Sequence, residues 1–274
     1  MRNRMSAAVA VAAIAGTVMA QEPAAPAPAA AAAAVVEEAP DTGLSFGATL
    51  DLYSAYVWRG CVLNDEPVWQ PGATVSYAAG DYGTFSAGAW ANFNATDRNS
   101  KTHFAGIDEI DYTLGYAVDV GPVSLGAGHI WYTFPSISSS GYAGSTREVY
   151  VTAAYNNDIV TPFVKAYYDY EYAEGVYGNA GLTKSIDVTD QFSVGAEVSV
   201  GAGDSDYMNA YFGTDDDGLA DFNAAVFCSY ALTDNLSIGA RVAWMSLIDS
   251  DARDNEVYWD EDLLWGGINL AASF

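Results

Sequence analysis

Residues 263–274 read LLWGGINLAASF. Leu264, Gly266, Ile268, Leu270, Ala272 and Phe274 fall on one side of an extended chain, and Trp265, Gly267, Asn269, Ala271 and Ser273 on the other. The period is two, with one face small or apolar throughout and the other carrying the polar atoms. A strand that is greasy on one side and wet on the other fits either a half-buried sheet or a wall between lipid and water.

The rest of the chain repeats this pattern in runs of ten to fifteen residues, each ended by Gly, Asp, Asn or Pro. Leu44–Arg59 reads as strand one, with Leu44, Phe46, Ala48, Leu50 and Leu52 opposite Ser45, Gly47, Thr49, Asp51 and Tyr53. Further strands are expected near 68–77, 84–93, 107–118, 123–134, 148–155, 160–171, 176–188, 192–200, 222–232 and from Leu236, with 263–274 completing a set of about twelve. Their connections alternate between tight turns at 79–81, 119–122, 156–158, 188–190 and 233–235 and longer loops at 60–67, 95–106, 135–145, 172–175, 201–220 and 249–262. Tight turns at one end and longer loops at the other are the signature of a bacterial outer-membrane barrel. The fold class expected is therefore all-β: a closed, antiparallel, transmembrane β-barrel of about twelve strands in up-and-down order. Trp58, Trp69, Tyr77, Trp131 and Trp244 are expected at the lipid headgroups.

The N-terminal segments fit export. Arg2 and Arg4 precede the apolar run Ala7–Val18, and Val18-Met19-Ala20 makes a small-residue cleavage site. Residues 1–20 read as a secretory signal peptide cleaved after Ala20. Residues 21–43, QEPAAPAPAAAAAAVVEEAPDTG, read as a periplasmic linker, because the prolines interrupt any helix and no bulky side chain could build a core. The barrel would occupy 44–274. No later apolar run approaches the roughly 18 residues of a membrane helix, so any crossing must use strands.

The formal charge is −25, which leaves little to neutralise phosphates and argues against nucleic acid. Two cysteines, Cys61 at the rim and Cys228 on an outward face, are too few for a disulfide framework, and no bridge between them is expected. Neither His103 nor His129 has a Ser in a position to form a hydrolase couple on its own face. No catalytic residues, cofactor or metal site are expected, and Asp215-Asp216-Asp217-Gly218 lacks the alternating spacing of an EF-hand loop.

The residues that alternate onto the polar face include Asp51, Arg59, Glu109, Asp111, Lys165, Asp169, Glu171, Glu197 and Arg241. In a narrow barrel these would line the path and select small solutes by charge, and the excess of acids implies a mild cation preference. Arg59 and Arg241 would be near neighbours, since the first strand lies beside the last. The function expected is a porin-like channel for passive diffusion of small hydrophilic solutes in the cell outer membrane. The alternative is a closed structural or surface-binding barrel acting through the acidic extracellular loops, Asp204–Asp217 and Asp249–Asp262. Lipid and lipopolysaccharide would surround either.

Two stretches carry resemblances. The aromatic ending resembles the C-terminal signature that outer-membrane proteins show to their assembly machinery, which implies that partner. Residues 54–72, SAYVWRGCVLNDEPVWQPG, resemble the N-terminal signature of the TorF-like porin family, through Ser54, Tyr56, Val57, Trp58, Arg59, Gly60, Pro67, Gln70 and Gly72. Ala55 and Cys61-Val62-Leu63 depart from that pattern. The resemblance implies a small outer-membrane channel and names no substrate. A fainter echo of MltA-interacting, OmpV-like proteins lies at 206–213, DYMNAYFG.

Overall fold

The computed structural model describes residues 43–96, 106–135, 144–255 and 260–274. The leader read at 1–20, all but the last residue of the linker, His103 and part of the 249–262 loop lie outside them.

The strands are β1 (Leu44–Tyr53), β2 (Tyr56–Trp58), β3 (Cys61–Asn64), β4 (Val68–Ala78), β5 (Thr84–Asn94), β6 (Gly106–Val120), β7 (Val123–Thr133), β8 (Ser145–Tyr155), β9 (Thr161–Asp169), β10 (Gly175–Asp187), β11 (Phe192–Gly203), β12 (Gly218–Thr233), β13 (Leu236–Leu247) and β14 (Asp262–Ser273). Two short helices, α1 (Ser205–Phe212) and α2 (Ser250–Asp254), interrupt the series. Twelve strands form one closed barrel in the order β1-β14-β13-β12-β11-β10-β9-β8-β7-β6-β5-β4, and β2 and β3 pair only with each other.

The terminal stretch is the seam. β14 pairs antiparallel with β1, outward Leu50 opposite Leu270 and inward Asp51 opposite Asn269. Phe46 N–H donates to the Phe274 carbonyl at 2.8 Å, and Phe274 N–H returns the bond at 2.9 Å. Closure leaves no strand edge with bare amides, which in hydrocarbon would each cost several kcal/mol. The outward positions, among them Leu114, Val151, Val226 and Val242, remain exposed as a lipid face. Inward Ser and Thr of the short-turn half, such as Thr74, Ser86, Thr152 and Thr183, are half-buried and line a polar lumen.

Strand one is shorter than its pattern suggests. The β1 ladder ends at Tyr53, the Ser54 amide still reaches the Gly266 carbonyl at 2.9 Å, and the chain then leaves the wall. Ala55 to Val62 are buried without alternation. They form the β2–β3 hairpin, which folds into the lumen at the long-loop end. Arg59 is thus at a hairpin tip and not on the first strand. Trp58 and Cys61 are core residues, 7% and 0% exposed, where a headgroup contact and a rim position had been expected. An apolar run looks the same whether lipid or a filled lumen covers it, so periodicity could not separate the two.

The 201–220 loop also departs from an open acidic rim. Asp204 caps α1 by accepting from the Tyr207 amide at 2.9 Å, and Gly213 ends it in the left-handed region. Tyr207, Met208 and Phe212 of this helix are buried over the hairpin.

A lipid-facing charge tests the wall. Val242→Arg, outward near the middle of β13, is expected to cost about 2–4 kcal/mol in denaturant unfolding from lipid vesicles. The inward Thr152→Ser should stay within about 0.5 kcal/mol.

Candidate functional site: a hairpin seated in the lumen

Trp58 and Cys61 are the last pair of the hairpin, leaving Arg59-Gly60 as a two-residue turn. Both have positive φ, +46° and +82°, as a type I′ turn requires. Gly suits this; a non-glycine residue held there costs of order 1–3 kcal/mol. The tip has no space to spare either, because a Cβ on Gly60 would lie 2.7 Å from Asp221 Cβ of β12.

The strained arginine is held from several sides. Its Nη1 donates to Glu148 Oε1 at 2.9 Å and its Nη2 to Oε2 at 2.8 Å, a bidentate pair with side chains 2% and 0% exposed. Tyr132 donates a third bond to Glu148 at 2.9 Å. The guanidinium carbon lies 3.8 Å from the Tyr167 ring centre, 4.6 Å from Trp58 and 5.0 Å from Tyr177. Behind the tip, Tyr56 donates to Glu109 Oε2 of β6 at 2.8 Å. β6 and β12 lie half a turn apart in the ring, so the hairpin crosses the lumen from wall to wall.

Its base is tied by carboxamides. Asn64 Nδ2 donates to Asn94 Oδ1 at 2.7 Å, and Asn92 and Asn94 donate to the two oxygens of Asp108 at 2.7 and 2.6 Å. Gln70 joins through Asn92 at 2.9 Å. A bulge between Asn92 and Phe93 brings both Asp108 and its neighbour Glu109 into the interior. From above, Tyr211 of α1 packs against Trp58 with centroids 5.1 Å apart and donates to Asp169 at 2.8 Å. Burial pushes the Tyr56 and Tyr211 hydroxyls well above the usual phenol range, so both stay protonated donors.

The nine charged residues expected along the path divide into four groups. Asp51, Lys165, Glu197 and Arg241 do face inward from the wall, with Arg241 3.9 Å from Glu197 and 5.7 Å from the Trp265 ring centre. Glu109 and Asp111 face inward but are buried at the hairpin's seat, and the Asp111 carboxylate accepts no hydrogen bond from the described residues. Asp169 also faces inward but is fully buried and accepts from Tyr211, whereas Glu171 is not a lumen charge. Asp169 organises a turn, accepting from Thr146 and from the Glu171 and Tyr172 amides, while Glu171 lies beyond β9 and pairs with Arg147 at 3.4 Å on the surface. Arg59 meets Glu148 and not the neighbourhood of Arg241. Glu148, Asn94 and Asp221 escaped the sequence reading, although all sit at inward parity in their strands. Among the described residues no three potential ligands gather to hold a metal ion, and His129 shares a bond with Tyr170 on the outer surface.

A cavity of about 100 Å³ remains beside the hairpin at the long-loop end, walled by Trp58, Tyr132, Phe134 and Tyr211. Leu63, Thr146 and Glu109 complete its lining.

Residues 37–258, which include the hairpin and most of the barrel, match the model of a family described as "Bacterial protein of unknown function (Gcw_chp)". The chain belongs to the Gcw_chp family. No curated protein matches it. Among solved structures it is similar to an outer-membrane channel from Pseudomonas putida F1, at 14% identity and TM-score 0.53, covering 86% of this chain and 97% of that one. It is also similar to the NanC porin (12%, TM-score 0.47, 84% and 98% covered) and the KdgM porin (11%, 0.46, 84% and 99%). The first shows that this Gcw_chp chain has the fold of an outer-membrane barrel; the other two are too distant to add to it.

The ion pair at the tip is directly testable. Arg59→Ala or Glu148→Ala alone leaves one buried charge without its partner, and each should lower hairpin protection by roughly 3–5 kcal/mol in amide hydrogen exchange. The double variant should cost clearly less than the two added.

Proposed function

We propose that this Gcw_chp chain is an outer-membrane channel for passive diffusion of small hydrophilic solutes, with a mild cation preference, and that the β2–β3 hairpin is its gate. The TorF-like resemblance at 54–72 points the same way, and the stretch that carries it is the hairpin itself. One observation carries the reading. The lower lumen is walled by half-buried Ser and Thr and by the facing charges Lys165, Glu197 and Arg241, whereas the upper lumen holds a separate chain segment packed among inward wall side chains such as Tyr132, Tyr167 and Tyr177. A segment pinned at its tip by one ion pair is a part that can be displaced.

In this reading residues 1–20 direct export and are cleaved after Ala20, and the C-terminal strand engages the assembly machinery. Lipopolysaccharide surrounds the long-loop rim, and the protein is not an enzyme. Asp51, Lys165, Glu197 and Arg241 line the path, with Glu109 and Asp111 joining it when the hairpin moves. The full burial of the hairpin favours the second reading, a closed barrel that works through its acidic loops.

Planar-bilayer recording separates the two. Wild-type protein should give small or infrequent current steps, and Arg59→Ala steps several-fold larger and steadier, with reversal potentials shifted modestly toward cations. Equal conductance in both proteins removes the gate and leaves the channel. Silence from both, with the barrel folded, removes the channel and favours the closed barrel.

A further inference from the structure

We infer that the cavity beside the hairpin is a recognition site for an organic cation of trimethylammonium size. This rests on the channel reading only in naming what arrives at its mouth; the binding chemistry stands on the cavity itself. At about 100 Å³ it has the capacity of a few waters, each taking roughly 30 Å³ in the liquid. Four aromatic residues, Trp58, Tyr132, Phe134 and Tyr211, line it, and aromatic rings attract diffuse positive charge.

The polar atoms in the lining narrow the ligand class. Tyr132 spends its hydroxyl hydrogen on Glu148, and Tyr211 and Thr146 spend theirs on Asp169. A sugar needs several donors and acceptors in place, and these are committed elsewhere. A bare metal ion needs several oxygen ligands at once, but Glu109 is the one carboxyl in the lining. An anion meets Glu109 with no cation among the lining residues, and the wall behind it carries the carboxyl groups of Asp108, Asp111 and Glu148 against the single guanidinium of Arg59. A methylated ammonium meets none of these objections. Its methyl groups fill an apolar space, its charge faces the rings and Glu109, and it needs no donors. The fold already holds one cation in this way, since Trp58, a wall of the cavity, is also one of the three rings around Arg59.

The test is calorimetric titration of the full chain in detergent with choline and with 3,3-dimethylbutan-1-ol, its uncharged carbon analogue. Choline should bind saturably and roughly tenfold or more tightly than the neutral analogue. Glu109→Gln should bring the two close together, and Leu63→Trp, which fills the space and leaves Glu109 in place, should abolish choline binding. Circular dichroism confirms that each variant keeps its barrel. Equal binding of the two compounds by the wild type, no saturable choline binding at high millimolar concentration, or full choline affinity in Leu63→Trp would each overturn the assignment. Binding is read without any current, so its failure is distinct from failure of the channel.

Discussion

Backbone amides in hydrocarbon have no water to bond, and a sheet can satisfy them all only by meeting itself. In this chain that meeting is between β1 and β14, with Phe46 and Phe274 exchanging both backbone bonds at the end of the seam. Everything else follows from the cylinder it creates. Closure divides every strand into a lipid side and a lumen side. It sets the period of two, brings both ends of the barrel to the short-turn rim and gathers the longer connections at the other. It also creates an enclosed space, and the filling of that space distinguishes this barrel from a simple tube.

The filling is a hairpin whose geometry is costly in itself. An arginine in the left-handed region and a buried guanidinium are each unfavourable alone. They persist because the same residue makes two charge-assisted bonds to Glu148 and sits among three aromatic rings. Strain concentrated at one residue, in a segment that is not part of the wall, fits the gate proposed for this hairpin. Arg59 is therefore more informative about function than the wall charges that accompany it.

The seat also gathers more acidic than basic groups. Asp108, Glu109, Asp111 and Glu148 crowd one side of the lumen, and Arg59 supplies the counter-charge from the hairpin. Hydrogen bonds from Asn92, Asn94, Tyr56 and Tyr132 stabilise three of these acids, while Asp111 has no such donor among the described residues. In the proposed channel, carboxyl groups on this wall would favour cations over anions at the long-loop mouth. The cation preference proposed for the channel and the aromatic cavity beside Glu109 have that common origin.

The barrel was legible in the residues because its causes are local. Alternation along each strand, turn residues between strands and sorted loop lengths all repeat within tens of residues, and lipid imposes the same demand on every strand. Apart from the ends of strand one and β9, strand bounds and inward parity accordingly came through within a few residues, down to Glu197 and Arg241. The hairpin was not legible. Ala55–Trp58 continues an apolar pattern that lipid would also accept, and nothing nearby says that the chain turns inward at Ser54. Glu148 lies 89 positions from Arg59 and Asp221 lies 44 from Tyr177. Which inward residues meet across the lumen depends on strand stagger and ring order, and no linear period encodes those. A closed wall with a wet interior could be read from the residues, because it follows from solvent and pleat; the occupant of that interior emerged from the fold, because contacts across a ring exist only once the ring has closed.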